Sequence, residues 1–123
     1  MIGLSELRDI AMALPGVEEG PPVGAARRIA SFKVAGISFA GLEKGGLTMT
    51  FSLAEKEAKA IAAEHPDAYE EIWRNGKIMG LRVDLSRVSS SRLRELIEKS
   101  WRHRAPKPIV AAFDRRTPKD LSA

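Results

Sequence analysis

The sequence predicts an α+β domain: an antiparallel sheet backed by helices, in the order α-β-β-β-α-β-β-α. Three observations predict it. Residues 28–51 alternate apolar and polar side chains in short runs broken by glycine-containing turns. Asn75-Gly76 lies between two further extended runs and is the strongest hairpin signal in the chain. Three other stretches, Leu7–Leu14, Ser52–Glu64 and Ser89–Trp101, instead repeat their apolar residues at helical spacing.

In chain order, Leu7, Ile10, Ala11 and Leu14 share one face of a first helix, with Ser5 as its expected N-cap and Pro15-Gly16 as its stop. Gly20-Pro21-Pro22-Val23-Gly24 reads as a loop. The first strand is Arg28 to Val34, with Ala30, Phe32 and Val34 on one side. Ala35-Gly36 turns it into a second strand, Ile37 to Leu42, and Lys44-Gly45-Gly46 turns that into a third, with Leu47, Met49 and Phe51 inward. Ser52 with Glu55 has the spacing of a capping box, opening a helix whose stripe is Ala54, Ala58, Ile61 and Ala62. His65-Pro66 ends that helix. Beyond the Asn75-Gly76 hairpin, the fifth strand presents Met79, Leu81, Val83 and Leu85 on one face. Ser89, Ser90 and Ser91 offer caps for a long helix with Leu93, Leu96, Ile97 and Trp101 on its stripe. Pro106 and Pro108 interrupt it, and Ile109–Phe113 suits a further helical turn or two. One domain over residues 1–114 is expected, with 115–123 as a frayed basic tail.

Composition narrows the function classes. The chain has 123 residues and no cysteine, which excludes disulfides, thiolate catalysis and cysteine metal sites. Its apolar runs are too short to span a membrane, and no apolar segment follows a basic start, so a cytoplasmic protein is expected. The net charge of +4 is unevenly spread: residues 52–71 carry −4, whereas residues 86–119 carry +7. Such asymmetry suits an anionic partner, although a solvated helix face and basic tail also account for it.

Catalytic and metal motifs are missing from the sequence. His65 suits a helix C-cap, and His103 lies between Arg102 and Arg104 as a surface residue. The acidic residues Glu64, Asp67, Glu70 and Glu71 lack the order of a calcium loop. The glycines around Lys44 lead into a strand rather than a helix, unlike a phosphate loop. Neither a metal nor a cofactor is expected.

The basic residues are the remaining candidates. Glu95 with Lys99 and Glu98 with Arg102 form i, i+4 pairs that satisfy one another. Arg92, Arg94, Arg104, Lys107, Arg115 and Arg116 are then left over, and Arg74, Lys77 and Arg82 lie on or near the hairpin. Cations of this kind, with few acids beside them, suit phosphate contacts. Trp73 could stack on a base, but large aromatics belong more often to the core, and both Trp73 and Trp101 are expected there.

Four segments resemble the MmcQ/YjbR-like family of small bacterial proteins: Leu7–Glu19 with its Leu14-Pro15-Gly16-Val17-Glu18-Glu19 close, Phe32–Ala40, Val83-Asp84-Leu85 and Leu93–Trp101. The likeness extends from Leu7 to Phe113. It implies the same element order, in a compact fold similar to that of secretion chaperones. Family members are labelled DNA-binding and described as double-wing proteins. The family often has Asn-Lys-x-His-Trp-Asn-x-Val before an Asp-Leu; the corresponding stretch here is Asn75–Leu85, in which Lys77, Val83, Asp84 and Leu85 match, while Met79-Gly80 stands where the His-Trp pair would be. Only Lys77 carries over as a contact from that pattern, with Lys107 of the familial Ala105-Pro106-Lys107 segment as a second.

Two functions therefore compete at this stage. One is DNA binding led by phosphates and weakly sequence-specific, through Arg74, Lys77, Arg82, Arg92, Arg94, Arg104 and Lys107, since no helix-turn-helix, zinc finger or RNP motif is present. The other is a non-enzymatic protein–protein interaction module, monomeric or weakly homodimeric, which would show an exposed apolar patch.

Overall fold

The computed structural model describes residues 3–20, 28–43 and 45–116. The first helix, α1, spans Leu4–Met12 and buries Leu7, Ile10 and Ala11. Strands β1 (Val17–Gly20), β2 (Arg28–Val34), β3 (Ile37–Glu43) and β4 (Thr48–Ser52) follow, then α2 (Glu55–Glu64), β5 (Tyr69–Arg74) and β6 (Lys77–Asp84). A short 3-10 turn over Leu85–Arg87 leads into α3 (Ser90–Arg104) and α4 (Lys107–Arg116). All six strands form one antiparallel sheet in the order β1-β2-β3-β4-β6-β5. The architecture is the expected α+β class, with helices against an antiparallel sheet.

The two hairpin turns have a common physical cause. Ala35-Gly36 and Asn75-Gly76 all take positive φ, between 52° and 79°, so both are tight turns whose twist matches that of the flanking strands. Asn and Gly enter this region at low cost, which is why Asn75-Gly76 was legible.

Register decides the two faces of the sheet. Phe51 is opposite Leu81 and Met49 opposite Val83, and these four residues are buried under the helices with Ala40 and Leu42 of β3. Helix α3 crosses β3 and β4, burying Leu93, Leu96, Ile97 and Trp101. Helix α2 packs on β5 and β6 and is tied to α3 by ion pairs Lys99–Glu57 (3.2 Å) and Arg92–Glu64 (2.8 Å). The Trp101 Nε1–H donates to the Pro15 carbonyl at 3.0 Å, fixing the turn after α1 to the last turn of α3. Trp101 also meets Phe113 of α4 edge-on, with ring centroids 5.1 Å apart. The opposite face of the sheet is polar: Thr48 lies opposite Asp84, and Thr50 opposite Arg82.

Several expectations need correction. Val17–Gly20 is a strand rather than turn and loop; it pairs with β2 through its backbone, and its Val-Glu-Glu-Gly sequence carries no alternation to reveal it. Gly20 thus ends a strand, while residues 21–24 of the expected loop lie outside the described residues, as does Lys44 of the second turn. The N-cap of α1 is Gly3, not Ser5. The capping box at α2 does not form. Ala54 is its N-cap and is exposed; Ser52 belongs to β4, and the Glu55 carboxylate accepts instead from the Ile78 amide at 3.0 Å. A bulge between Ile72 and Trp73 sets Ile72 opposite Gly80 and Trp73 opposite Ile78, so Ile78 is buried in place of Met79, which is 36% exposed. Leu47 precedes β4 and is exposed rather than inward. Trp101 is fully buried as expected, but Trp73 is 56% exposed and not a core residue. Helix α4 runs on through Arg115 and Arg116; residues 117–123 of the expected tail lie outside the described residues.

Candidate anion-binding site at the hairpin end of the sheet

The seven basic candidates fall into two groups, because some carboxylates far away in sequence fold against them. Arg82 is committed. Its Nε donates to Glu43 Oε1 at 2.8 Å, its Nη2 to Glu43 Oε2 at 3.3 Å, and its Nη1 to Glu70 at 3.2 Å. Glu43 is buried and also accepts from the Thr48 hydroxyl at 2.6 Å. This forked pairing raises the Arg82 pKa above its ordinary value. Arg92 is committed as well: its Nε donates to the Tyr69 hydroxyl at 3.1 Å and its Nη2 to Glu64 at 2.8 Å, and Glu95 lies 3.7 Å from its Nη1. Neither arginine has its fork free for a partner molecule.

The expected helix pairs are half realised. Arg102 meets Glu98 at 3.0 Å and also grips Asp114 through both terminal nitrogens, at 2.7 and 3.1 Å. Lys99 turns to Glu57 on α2 instead of Glu95. His103 is exposed, as expected; partial loss of hydration, then the charge of Arg104, hold its pKa below the ordinary value.

Among the described residues, Arg74, Lys77, Arg94 and Lys107 make no ion pair or side-chain hydrogen bond. They do not all converge. Arg94 lies on the outer face of α3, in a shallow hollow with Glu95, Glu98, Lys99 and Arg102. Lys107 opens α4, three residues beyond Arg104. Arg74 and Lys77 face each other across the Asn75-Gly76 turn as the last register pair of β5 and β6.

Arg74 also shares a cavity with Arg104. The cavity, of about 170 Å³, lies at the end of the sheet beside this hairpin. Its wall is built from strand ends: Ser38 and Phe39 of β3, Ser52 of β4, Ile72 and Arg74 of β5, and Met79 of β6, with Arg104 reaching in from the last turn of α3. Arg104 is half-buried, and its Nε donates to Ser52 Oγ at 2.7 Å. Ser52 and Ser38 are the site residues that sequence reasoning missed. The Ser52-x-x-Glu55 spacing pointed to helix capping, and nothing local in the sequence brings Ser38 or Ser52 to Arg104, 52 residues beyond Ser52.

Among the described residues no group of three or more His, Cys, Asp or Glu side chains is arranged to hold a metal ion. No helix among the described residues is long and apolar enough to cross a membrane.

Comparison with known proteins places this geometry in a family. The fold is similar to the crystal structure of the Deinococcus radiodurans protein DR2400, which carries the family-model domain DUF419. The TM-score is 0.67 at 22% sequence identity, over 82% of this chain and 77% of that one. No curated protein matches the chain. The YjbR family model matches residues 12–103, from the end of α1 through all six strands to the last turn of α3, and the chain therefore belongs to the YjbR family.

Proposed function

We propose that this protein binds nucleic acid through the phosphate backbone, with the β5–β6 hairpin as its contact element. The observation that carries the reading is the arrangement at the hairpin tip. Arg74 and Lys77 are exposed, mutually opposed and unpaired among the described residues, next to Trp73, which is 56% exposed. A large aromatic left in water beside two free cations suits a nucleic-acid surface: the cations neutralise phosphates, and the ring is placed to stack wherever a base is unpaired. Arg104 and Lys107, near the junction of α3 and α4, extend the positive surface. Arg82 and Arg92 drop out of the contact set, since a phosphate would have to displace their carboxylates. With Arg74, Lys77, Arg104 and Lys107 as its cations and no base-reading motif in the sequence, binding is electrostatic, weakly specific and salt-dependent in proportion to the phosphates neutralised.

The test is fluorescence anisotropy of a labelled duplex with 5′-hydroxyl ends, titrated at several salt concentrations. Wild-type affinity falls with salt by a log–log slope of about −0.9 per phosphate neutralised. The double variant Arg74→Ala/Lys77→Ala binds more weakly and loses about 1.8 from the magnitude of that slope. Both residues are exposed, so the thermal midpoint of the variant stays within a degree or two of wild type. An unchanged slope removes the hairpin from the interface, and an absence of binding at low salt removes the function.

A further inference from the structure

We propose that the cavity between Arg74 and Arg104 is a subsite for a phosphate group: the terminal phosphomonoester of a nucleotide or strand end, or the free ion. This deepens the backbone-binding reading at the same end of the sheet, and rests on it only for the ligand's larger identity. Size is the first argument. At about 170 Å³ the cavity is well below the ~300 Å³ at which pockets for whole small molecules begin, so it takes one group of a ligand whose remainder stays outside.

The lining chemistry is the second argument. Two guanidinium groups enter from different elements, Arg74 from β5 and Arg104 from α3, and among the described residues no carboxylate lines the cavity. Arg104 is already oriented, because its Nε is spent on Ser52 Oγ while its two terminal nitrogens have no partner among the described residues. That leaves a fork aimed by the protein, with less side-chain freedom to lose on binding. The Ser52 hydroxyl accepts from Arg104 and keeps its own O–H to donate; the Ser38 hydroxyl is the other uncommitted donor, whereas Thr50 already donates to the Gly41 carbonyl at 3.4 Å. Donors therefore line the cavity from β3, β4, β5 and α3, enough to engage the several oxygens of a tetrahedral oxyanion; a planar carboxylate, with two oxygens, would leave part of this set unused. Phe39, Ile72 and Met79 supply the apolar side of the cavity.

The experiment titrates the full-length protein with inorganic phosphate at constant ionic strength and follows the Arg Nε–H resonances by NMR. The expected result is a saturable shift of Arg104 and Arg74, absent with chloride. Arg104→Lys, which keeps the charge but not the fork, weakens binding about tenfold. Ser52→Ala, which frees the Arg104 orientation, weakens it a few-fold. Thermal unfolding of both variants confirms that they fold; if Arg104→Lys does not, Arg74→Lys takes its place with the same expectation. No saturation by about 10 mM phosphate overturns the proposal, as does an affinity unchanged in the folded variants. Adenosine monophosphate and a 5′-phosphorylated oligonucleotide against its 5′-hydroxyl counterpart then separate the sources. Tighter binding of the mononucleotide, or of the phosphorylated strand, assigns the group to that ligand; equal binding of all phosphate-bearing probes assigns it to the phosphate alone. Because the duplex experiment uses 5′-hydroxyl ends, failure of this subsite and failure of backbone binding give different results.

Discussion

Gly80 shows how much one missing methyl group decides. A Cβ built there lies 1.9 Å from the Phe51 carbonyl oxygen and 3.0 Å from its carbonyl carbon, so β4 and β6 approach too closely for any side chain. The obstruction is backbone and cannot swing away. Gly80→Ala is therefore expected to force the two central strands apart and to cost at least the ~1–3 kcal/mol typical of overpacking. Urea unfolding measures it, and a midpoint equal to wild type contradicts the close approach. Trp101→Phe is milder. It removes the hydrogen bond to the Pro15 carbonyl, worth about 1 kcal/mol, and leaves some volume unfilled. A drop in thermal midpoint accompanied by faster amide exchange around Pro15 and Gly16 is the expected signature. At this scale the sequence was informative where a residue's own chemistry decides the outcome. Asn75-Gly76 declared its turn, and Trp101 its place on an apolar stripe. It misled where a neighbour decides: the bulge, invisible in an alternating run, exchanged the roles of Ile78 and Met79.

Among the elements, β1 depends most on its partners. Its four residues are held by β2 on one side, and α1 is clasped to it by the two-pronged contact of Arg8 with Glu19. The hydrogen bond from Arg8 keeps the Glu19 carboxyl below its ordinary pKa, and the Ser86 hydroxyl and amide do the same for Asp84 at the 3-10 turn. The sign follows from linkage. A carboxyl whose pKa is lower folded than unfolded adds stability above its unfolded pKa, and that stability is lost as pH falls through the folded value. Thermal midpoints measured from pH 6 downward should fall below about pH 4.5, less steeply for Glu19→Gln than for wild type. Identical acid limbs would show that the clasp adds nothing. Sequence reasoning passed over β1 because a strand with one apolar residue and two adjacent glutamates has no period of its own; backbone pairing creates it. The capping box at Ser52 failed for the complementary reason. Local spacing favoured a cap, but the strand needed the residue and Arg104 claimed its hydroxyl.

Across the whole molecule, folding changes which charges are available. The acids of residues 52–71 and the bases of residues 86–119 are paired with one another in part: α2 and α3 meet across their seam through Glu57–Lys99 and Glu64–Arg92. Arg82 finds Glu43, 39 residues away. The sequence thus named the basic residues, but which of them remain unpaired is a property of long-range pairing and could not be read from neighbours along the chain. Among the described residues, the unpaired ones of the seven candidates are Arg74 and Lys77 at the hairpin, Arg94 on the outer face of α3 and Lys107 at the start of α4, and the salt-slope measurement on Arg74→Ala/Lys77→Ala reads the hairpin pair directly. The exposed Trp73 was unexpected by the same logic: its register partner Ile78 took the interior, and β5, at the margin of the sheet, had no further strand to cover it.

Among the described residues the sheet does not close, and its two margins face self-recognition differently. An outer strand offers unpaired amides and carbonyls to any like strand it meets. On one margin, β1 offers only four residues to a copy of itself, too few for a long ladder, and Glu18 adds a charge there. On the other, the irregularity at Ile72 and Trp73 breaks the straight ladder a second chain would need. Growth of the sheet by addition of identical subunits is thereby disfavoured at both ends, and the aromatic at the tip can stay in solvent without seeding a fibril.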